Sequence, residues 1–68
     1  MKAEEIRANL NRRVLYRSVR TGVNAEYLLT GAIFRRGENG FYYQAELTDP
    51  KTNKSILICS LNDIEVIQ

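Results

Sequence analysis

Residues 25–67 read AEYLLTGAIFRR (25–36), GENG (37–40), FYYQAELT (41–48), DPKTNK (49–54), SILICSL (55–61), ND (62–63) and IEVI (64–67). Apolar residues alternate through the longer segments, and short turns rich in Gly, Asn, Asp and Pro separate them. Asn39-Gly40 is the strongest hairpin signal, because both residues tolerate backbone conformations closed to most side chains. Asp49-Pro50 opens the next turn, with Asn53 suited to a left-handed position. The break at Asn62-Asp63 has room only for a hairpin or a single 3₁₀ turn. Alternation with compact turns predicts strands over 25–36, 41–48, 55–61 and 64–67.

In 41–48 the two faces separate. Phe41, Tyr43, Ala45 and Leu47 fall on one side and are expected in the core, with the Tyr43 hydroxyl at the rim. Tyr42, Gln44, Glu46 and Thr48 fall on the other. The near-continuous apolar run 56–61 predicts a strand covered on both faces. Gly31, in the middle of the long second strand, predicts a bend or bulge of the kind that turns a barrel corner.

Upstream, 14–19 (VLYRSV) is the first strand, closed by a turn containing Gly22 and Asn24. Residues 3–11 predict a short helix with Ala3, Ile6 and Leu10 on one stripe. Glu4 and Glu5 at its start and Arg12 and Arg13 at its end complement the helix dipole. So short a helix must lean on the β body, where it is expected to plug one open end. The expected fold is therefore mainly β: a helix followed by a five-stranded antiparallel, partly open small barrel in one domain, 1–68. Closure hides strand edges that would otherwise template aggregation.

Composition narrows the chemistry. The chain has 68 residues, 44% of them hydrophobic, one cysteine and no histidine or tryptophan. Without histidine, a Ser–His–Asp triad and a Cys–His dyad are excluded within one chain, as are zinc sites built on several Cys and His ligands. Cys59 reads as a small buried hydrophobe, and a lone cysteine suits a reducing compartment. No apolar run reaches the ~20 residues of a membrane helix, and 1–13 lacks the core of a signal peptide. A cytoplasmic protein without cofactor or metal, and not an enzyme, is expected. Glu46, Asp49, Asp63 and Glu65 could pair for acid–base work, but they lie at strand ends and turns, where charged residues have structural reasons to be.

Net charge is +2, unevenly spread. Residues 1–36 contain all seven arginines and sum to +5, whereas 37–68 sum to −3. Two readings stay open here: a face that attracts anions, or halves that interleave so that the charges mix.

The helix-then-five-strands order, with Leu29-Thr30-Gly31-Ala32-Ile33 in a bent second strand, resembles the SH3-like and Sm-like barrels. So does the Ser60-Leu61-Asn62-Asp63-Ile64 break before the last strand. The likeness covers most of the chain and is one of layout. Where the Sm-like pattern places an Asp after the second strand, this chain has Arg35-Arg36-Gly37-Glu38. It also lacks the acidic-aromatic signature and paired tryptophans of peptide-binding SH3 domains, so no uridine-pocket or proline-groove residues carry over. In its overall look the chain is also similar to short bacterial proteins of phage and conjugative elements.

Two candidate binding sets remain. Arg13, Arg17, Arg20, Phe34, Arg35 and Arg36 interleave arginine with aromatic residues, the pattern that grips phosphates and stacks on bases. Tyr42, Gln44 and Glu46 form an outward face suited to a protein interface, unless Tyr42 is buried under the helix. Protein–protein contact is the expected function and nucleic-acid binding the alternative. The expected partners are thus another protein, RNA or DNA, or a further copy of the chain pairing through an open strand edge, and no membrane.

Overall fold

The computed structural model describes residues 1–18, 20–52, 54 and 56–67. Val19, the expected end of the first strand, Asn53, the expected left-handed turn residue, and Ser55, the expected start of the fourth strand, lie outside them.

A 3₁₀ turn, Ala3–Glu5, runs into one turn of α-helix, α1 (Ile6–Asn9). Glu5 starts it by accepting the backbone N–H of Lys2 at 2.9 Å. The helix is shorter than the 3–11 expected from its apolar stripe. Leu10 is already extended and Asn11 takes a left-handed φ of 64°. The cause is competition for backbone groups: the Asn11 N–H donates to the Leu29 carbonyl at 2.7 Å, and the Leu29 N–H donates to the Arg12 carbonyl at 3.0 Å. Those bonds tie the chain to the sheet where a third helical turn would have kept them local. Of the predicted stripe, Ile6 is buried and Ala3 and Leu10 are exposed.

Five strands follow: β1 (Arg13–Arg17), β2 (Asn24–Gly37), β3 (Gly40–Thr48), β4 (Ile56–Ser60) and β5 (Ile64–Val66). They form one antiparallel sheet in the order β4-β3-β2-β1-β5. The chain is mainly β, and the sheet is a partly open small barrel, with β4 and β5 as its two edges. A 3₁₀ turn, Leu61–Asp63, joins those edges in the place where the sequence allowed only a tight break, and the Ser60 hydroxyl caps it by accepting the Asn62 N–H at 3.2 Å.

The corner is a β-bulge. The register of β2 on β3 skips between Leu29 and Gly31, leaving Thr30 as the extra residue. Its hydroxyl donates to Glu46 Oε2 at 2.9 Å and accepts from the Thr48 hydroxyl at 2.8 Å. The skip reverses the parity of β2, so that Ala25, Tyr27 and Leu29 face inward before it and Ala32, Phe34 and Arg36 after it.

The core is Ile6, Val14, Leu29, Ala45, Leu47, Cys59 and Ile64, with Met1, Tyr16, Tyr27, Leu57 and Leu61 packed against it. The Met1 amino group donates to the carbonyls of Leu61 and Ile64, both at 2.9 Å.

Two expectations about burial fail. Of the inward row on β3, Ala45 and Leu47 are fully buried, but Phe41 is 65% and Tyr43 42% exposed. The apolar run of β4 is covered on one face only: Cys59 is buried and Leu57 half-buried, whereas Ile56 and Ile58 stand exposed on the other side. An edge strand has a single neighbour, and among the described residues the outer face of β4 keeps Ile56 and Ile58 in contact with water.

Candidate functional site

The exposure of Phe41 and Tyr43 follows from strand lengths. β1 pairs with β2 only over Asn24–Leu28, and β4 pairs with β3 only over Gln44–Thr48. Phe34–Gly37 and Gly40–Tyr43 therefore pair only with each other, as a two-stranded arm beyond the barrel. Gly37 pairs with Gly40 across a two-residue turn, Glu38-Asn39. Gly40, at φ 116°, supplies the positive φ that the turn requires, and Asn39 does not. Two strands alone are marginal in water, so cross-strand side chains must hold the arm together.

They do so with aromatic rings. Phe34 and Phe41 stack at 4.9 Å with their planes 12° apart, and Tyr43 leans on Phe34 at 5.0 Å. Phe34 is itself 57% exposed. Arg36, directly across from Phe41, lies on the same face. Arg35 lies on the opposite face with Tyr42 and Gln44, and its Nε donates to Gln44 Oε1. Tyr42 is 46% exposed and on the side away from α1, so the helix does not cover it. Phe34, Arg35, Arg36 and Tyr42 thus come together on one arm, divided between its two faces, with Gln44 at its root.

The remaining candidates stand elsewhere. Arg13 and Arg17 face outward on β1 and pair with acids, Arg13 with Glu26 at 3.5 Å and Arg17 with Glu65 at 3.1 Å. Arg20 sits in the β1–β2 turn, at the far end of β2 from the arm. Glu46 is turned to Thr30 at the bulge. The arginines of the first half therefore do not make one contiguous face; the halves interleave and some of the charges mix.

Among the described residues, hollows open on the surface, and two of them lie beside charged or aromatic side chains. The larger, about 420 Å³, is lined by Arg13 and Lys51 against Glu26 and Asp49, a balanced set with no net field. The smaller, about 230 Å³, lies between α1 and the root of the arm and is lined by Ala3, Ile6, Arg7, Leu10, Ala32 and Tyr43. Tyr43, which lines the hollow and leans on Phe34, links it to the aromatic cluster.

Cys59 is buried, and burial, with the Asp63 carboxylate adding to it, pushes its thiol up to about 11. A thiol so shifted stays protonated and is a poor nucleophile near neutral pH. Among the described residues no three of His, Cys, Asp and Glu group as metal ligands, and no helix is long and apolar enough to cross a membrane.

Alternation by itself assigned Phe41 and Tyr43 to the core and so missed them as surface residues. The missing signal was length: an expected 12-residue strand beside expected neighbours of six and eight residues must run past them.

No protein family, curated protein or solved structure matches this chain.

Proposed function

We propose that this chain is a non-enzymatic small-barrel interaction module that works through protein–protein contact, with the β2–β3 arm as its contact element. The observation that carries this reading is the contiguous cluster of three exposed aromatic side chains, Phe34, Phe41 and Tyr43, on an arm that contributes no residue to the buried core. Exposed apolar surface rimmed by polar groups is where partners dock, because covering it removes the area from water with little conformational entropy lost from rigid rings. The shifted Cys59 and the absence of histidine support a role without catalysis. The single cysteine agrees with a reducing compartment such as the cytoplasm. The strand order and the 3₁₀ link before β5 support the SH3-like and Sm-like layout. The open edges β4 and β5 leave self-association available.

Quantitative capture of proteins from nuclease-treated host extract tests the reading, comparing the native chain with Phe34→Thr/Phe41→Thr. A partner held by the native chain and lost from the variant is expected. Identical captured sets would overturn the proposal.

One observation favours a second reading: Arg36 stands exposed beside the rings and makes no ion pair among the described residues. A cation next to aromatic faces is also the chemistry of single-stranded nucleic-acid binding. That reading requires affinity for mixed RNA or DNA that falls steeply with salt, with a smaller slope in Arg35→Ala/Arg36→Ala. No binding at low salt removes it.

A further inference from the structure

The hollow beside α1 ends at Tyr43, and Tyr43 leans on Phe34, which stacks on Phe41, so the hollow and the ring cluster adjoin and we read them as one trough. On β2 the inward positions after the bulge are Ala32, Phe34 and Arg36; on β3 they are Tyr43 and Phe41. Period-2 spacing sets Ala32 and Arg36 about 13 Å apart along the strand. At the near end Ala32 and Tyr43 pass into the hollow against α1, about 230 Å³, whose remaining walls are Ala3, Ile6, Arg7 and Leu10. That volume is below the roughly 300–1,000 Å³ of small-molecule sites and suits a side chain of a docked segment.

The trough is apolar along its length and cationic at both ends. Arg7 stands on the hollow and Arg36 beside Phe41; neither makes an ion pair among the described residues. Among the described residues no carboxylate lines the hollow. Glu38, in the turn at the tip of the arm, is the only acid between Glu26 and Glu46. An apolar strip with a cation at each end is complementary to an apolar segment flanked by acids, because each carboxylate would meet an arginine while the rings cover the centre. The larger hollow, with two bases facing two acids, offers no such preference.

We infer that this trough receives a short segment of a partner protein in which aromatic or aliphatic residues are flanked by Asp or Glu. The inference rests on the protein-contact reading above and gives that reading a partner chemistry. Leu10 and Tyr43 anchor the segment at the helix, Phe34 and Phe41 carry its centre, and Arg7 and Arg36 choose its charge.

A random dodecapeptide display library panned against the native protein, with counter-selection on Phe34→Thr/Arg36→Gln, tests it. Folding of each variant is checked by circular dichroism and urea unfolding, which should show the barrel still folding cooperatively, because neither side chain belongs to the buried core. Enrichment of peptides with Phe, Leu or Trp between Asp or Glu is expected. One synthetic peptide from that set should lose about tenfold in affinity in Arg7→Gln and again in Arg36→Gln, and should weaken as salt rises. Enriched peptides that are basic or uncharged yet still need Phe34 overturn the acidic preference and leave the protein-contact reading standing. Peptides that bind the counter-selected variant equally well, or no enrichment at all, overturn the trough as a receptor; the capture experiment then judges the contact reading separately. Sedimentation that finds a dimer abolished by Phe34→Thr would show a second copy in the trough and overturn the peptide assignment.

Discussion

Leu47 and Phe41 stand on the same face of the same strand, six residues apart, and alternation treats them alike. The structure separates them: Leu47 is fully buried and Phe41 is 65% exposed. Truncation of Leu47 to Ala removes buried methyl groups and leaves a void that this small core can close only in part, so a cost of about 3 kcal/mol is expected. For Phe41→Thr, about a third of a ring side chain of roughly 200 Å² is hidden, or some 70 Å². At ~25 cal/mol per Å² that is under about 2 kcal/mol, and the compactness of unfolded chains reduces it to ~1–1.5 kcal/mol. Threonine keeps the strand preference, so little is added for the backbone.

Urea unfolding followed by circular dichroism reads both variants. With a slope near ~1 kcal/mol per molar for a chain of this size, Leu47→Ala should lower the midpoint by about 3 M and Phe41→Thr by about 1 M. Total stability for a domain this small is of order 3–10 kcal/mol, so Leu47→Ala could leave the chain unfolded in buffer, with Phe41→Thr still folding cooperatively. A loss in Phe41→Thr as large as in Leu47→Ala would refute the reasoning. The arm's rings would then belong to the core, and the surface proposed for contact would not exist.

Three further expectations follow from contacts elsewhere. At Gly31 a Cβ would lie 3.0 Å from Glu46 Oε2, a carboxylate held by Thr30, so Gly31→Val should destabilise by more than ~1 kcal/mol. Adding Glu46→Ala should recover part of that loss in a double-mutant cycle; strict additivity would mean the two side chains do not meet. The Cys59 thiol is raised from an ordinary 9.0 to about 11, so the stability it contributes is complete below pH 9 and disappears as pH rises through 11. The stability difference between the native chain and Cys59→Ala should therefore shrink over that window, and a constant difference would contradict the burial. Arg17 and Glu65 meet at 3.1 Å with both side chains about half exposed, so Glu65→Gln should cost less than ~0.5 kcal/mol and nothing at high salt, whereas a measured cost above ~1 kcal/mol would show a desolvated pair.

Strand positions, a bend or bulge at Gly31 and a tight break after Ser60 that left only a hairpin or a 3₁₀ turn were legible because each is local. Alternation reports a pleat, a mid-strand glycine reports a corner, and a two-residue break leaves few geometries. The helix end was misjudged because the decisive partners of Asn11 and Arg12 lie at Leu29, 17 or 18 residues away in the chain, where no local rule sees them. Ile56 and Ile58 were misjudged for a similar reason: a run of apolar residues does not say whether its strand will stand at an edge. The candidate arginines were found as residues but not as a surface. Arg35 and Arg36 are neighbours in sequence and opposite in space, and Arg13 and Arg17 are engaged by Glu26 and Glu65.

The sequence by itself determined that this chain folds as a short helix and five strands, the second of them long, and that it lacks histidine chemistry, because side-chain identity and short-range turn geometry set both. Which aromatic residues are core and which are surface was decided by the tertiary structure alone. Phe41 and Leu47 obey the same period of two; β4 reaches Leu47, stops at Gln44, and leaves Phe41 and its stacked neighbours in water. Burial is a property of how far neighbouring strands extend, and that length emerges only when the strands are paired.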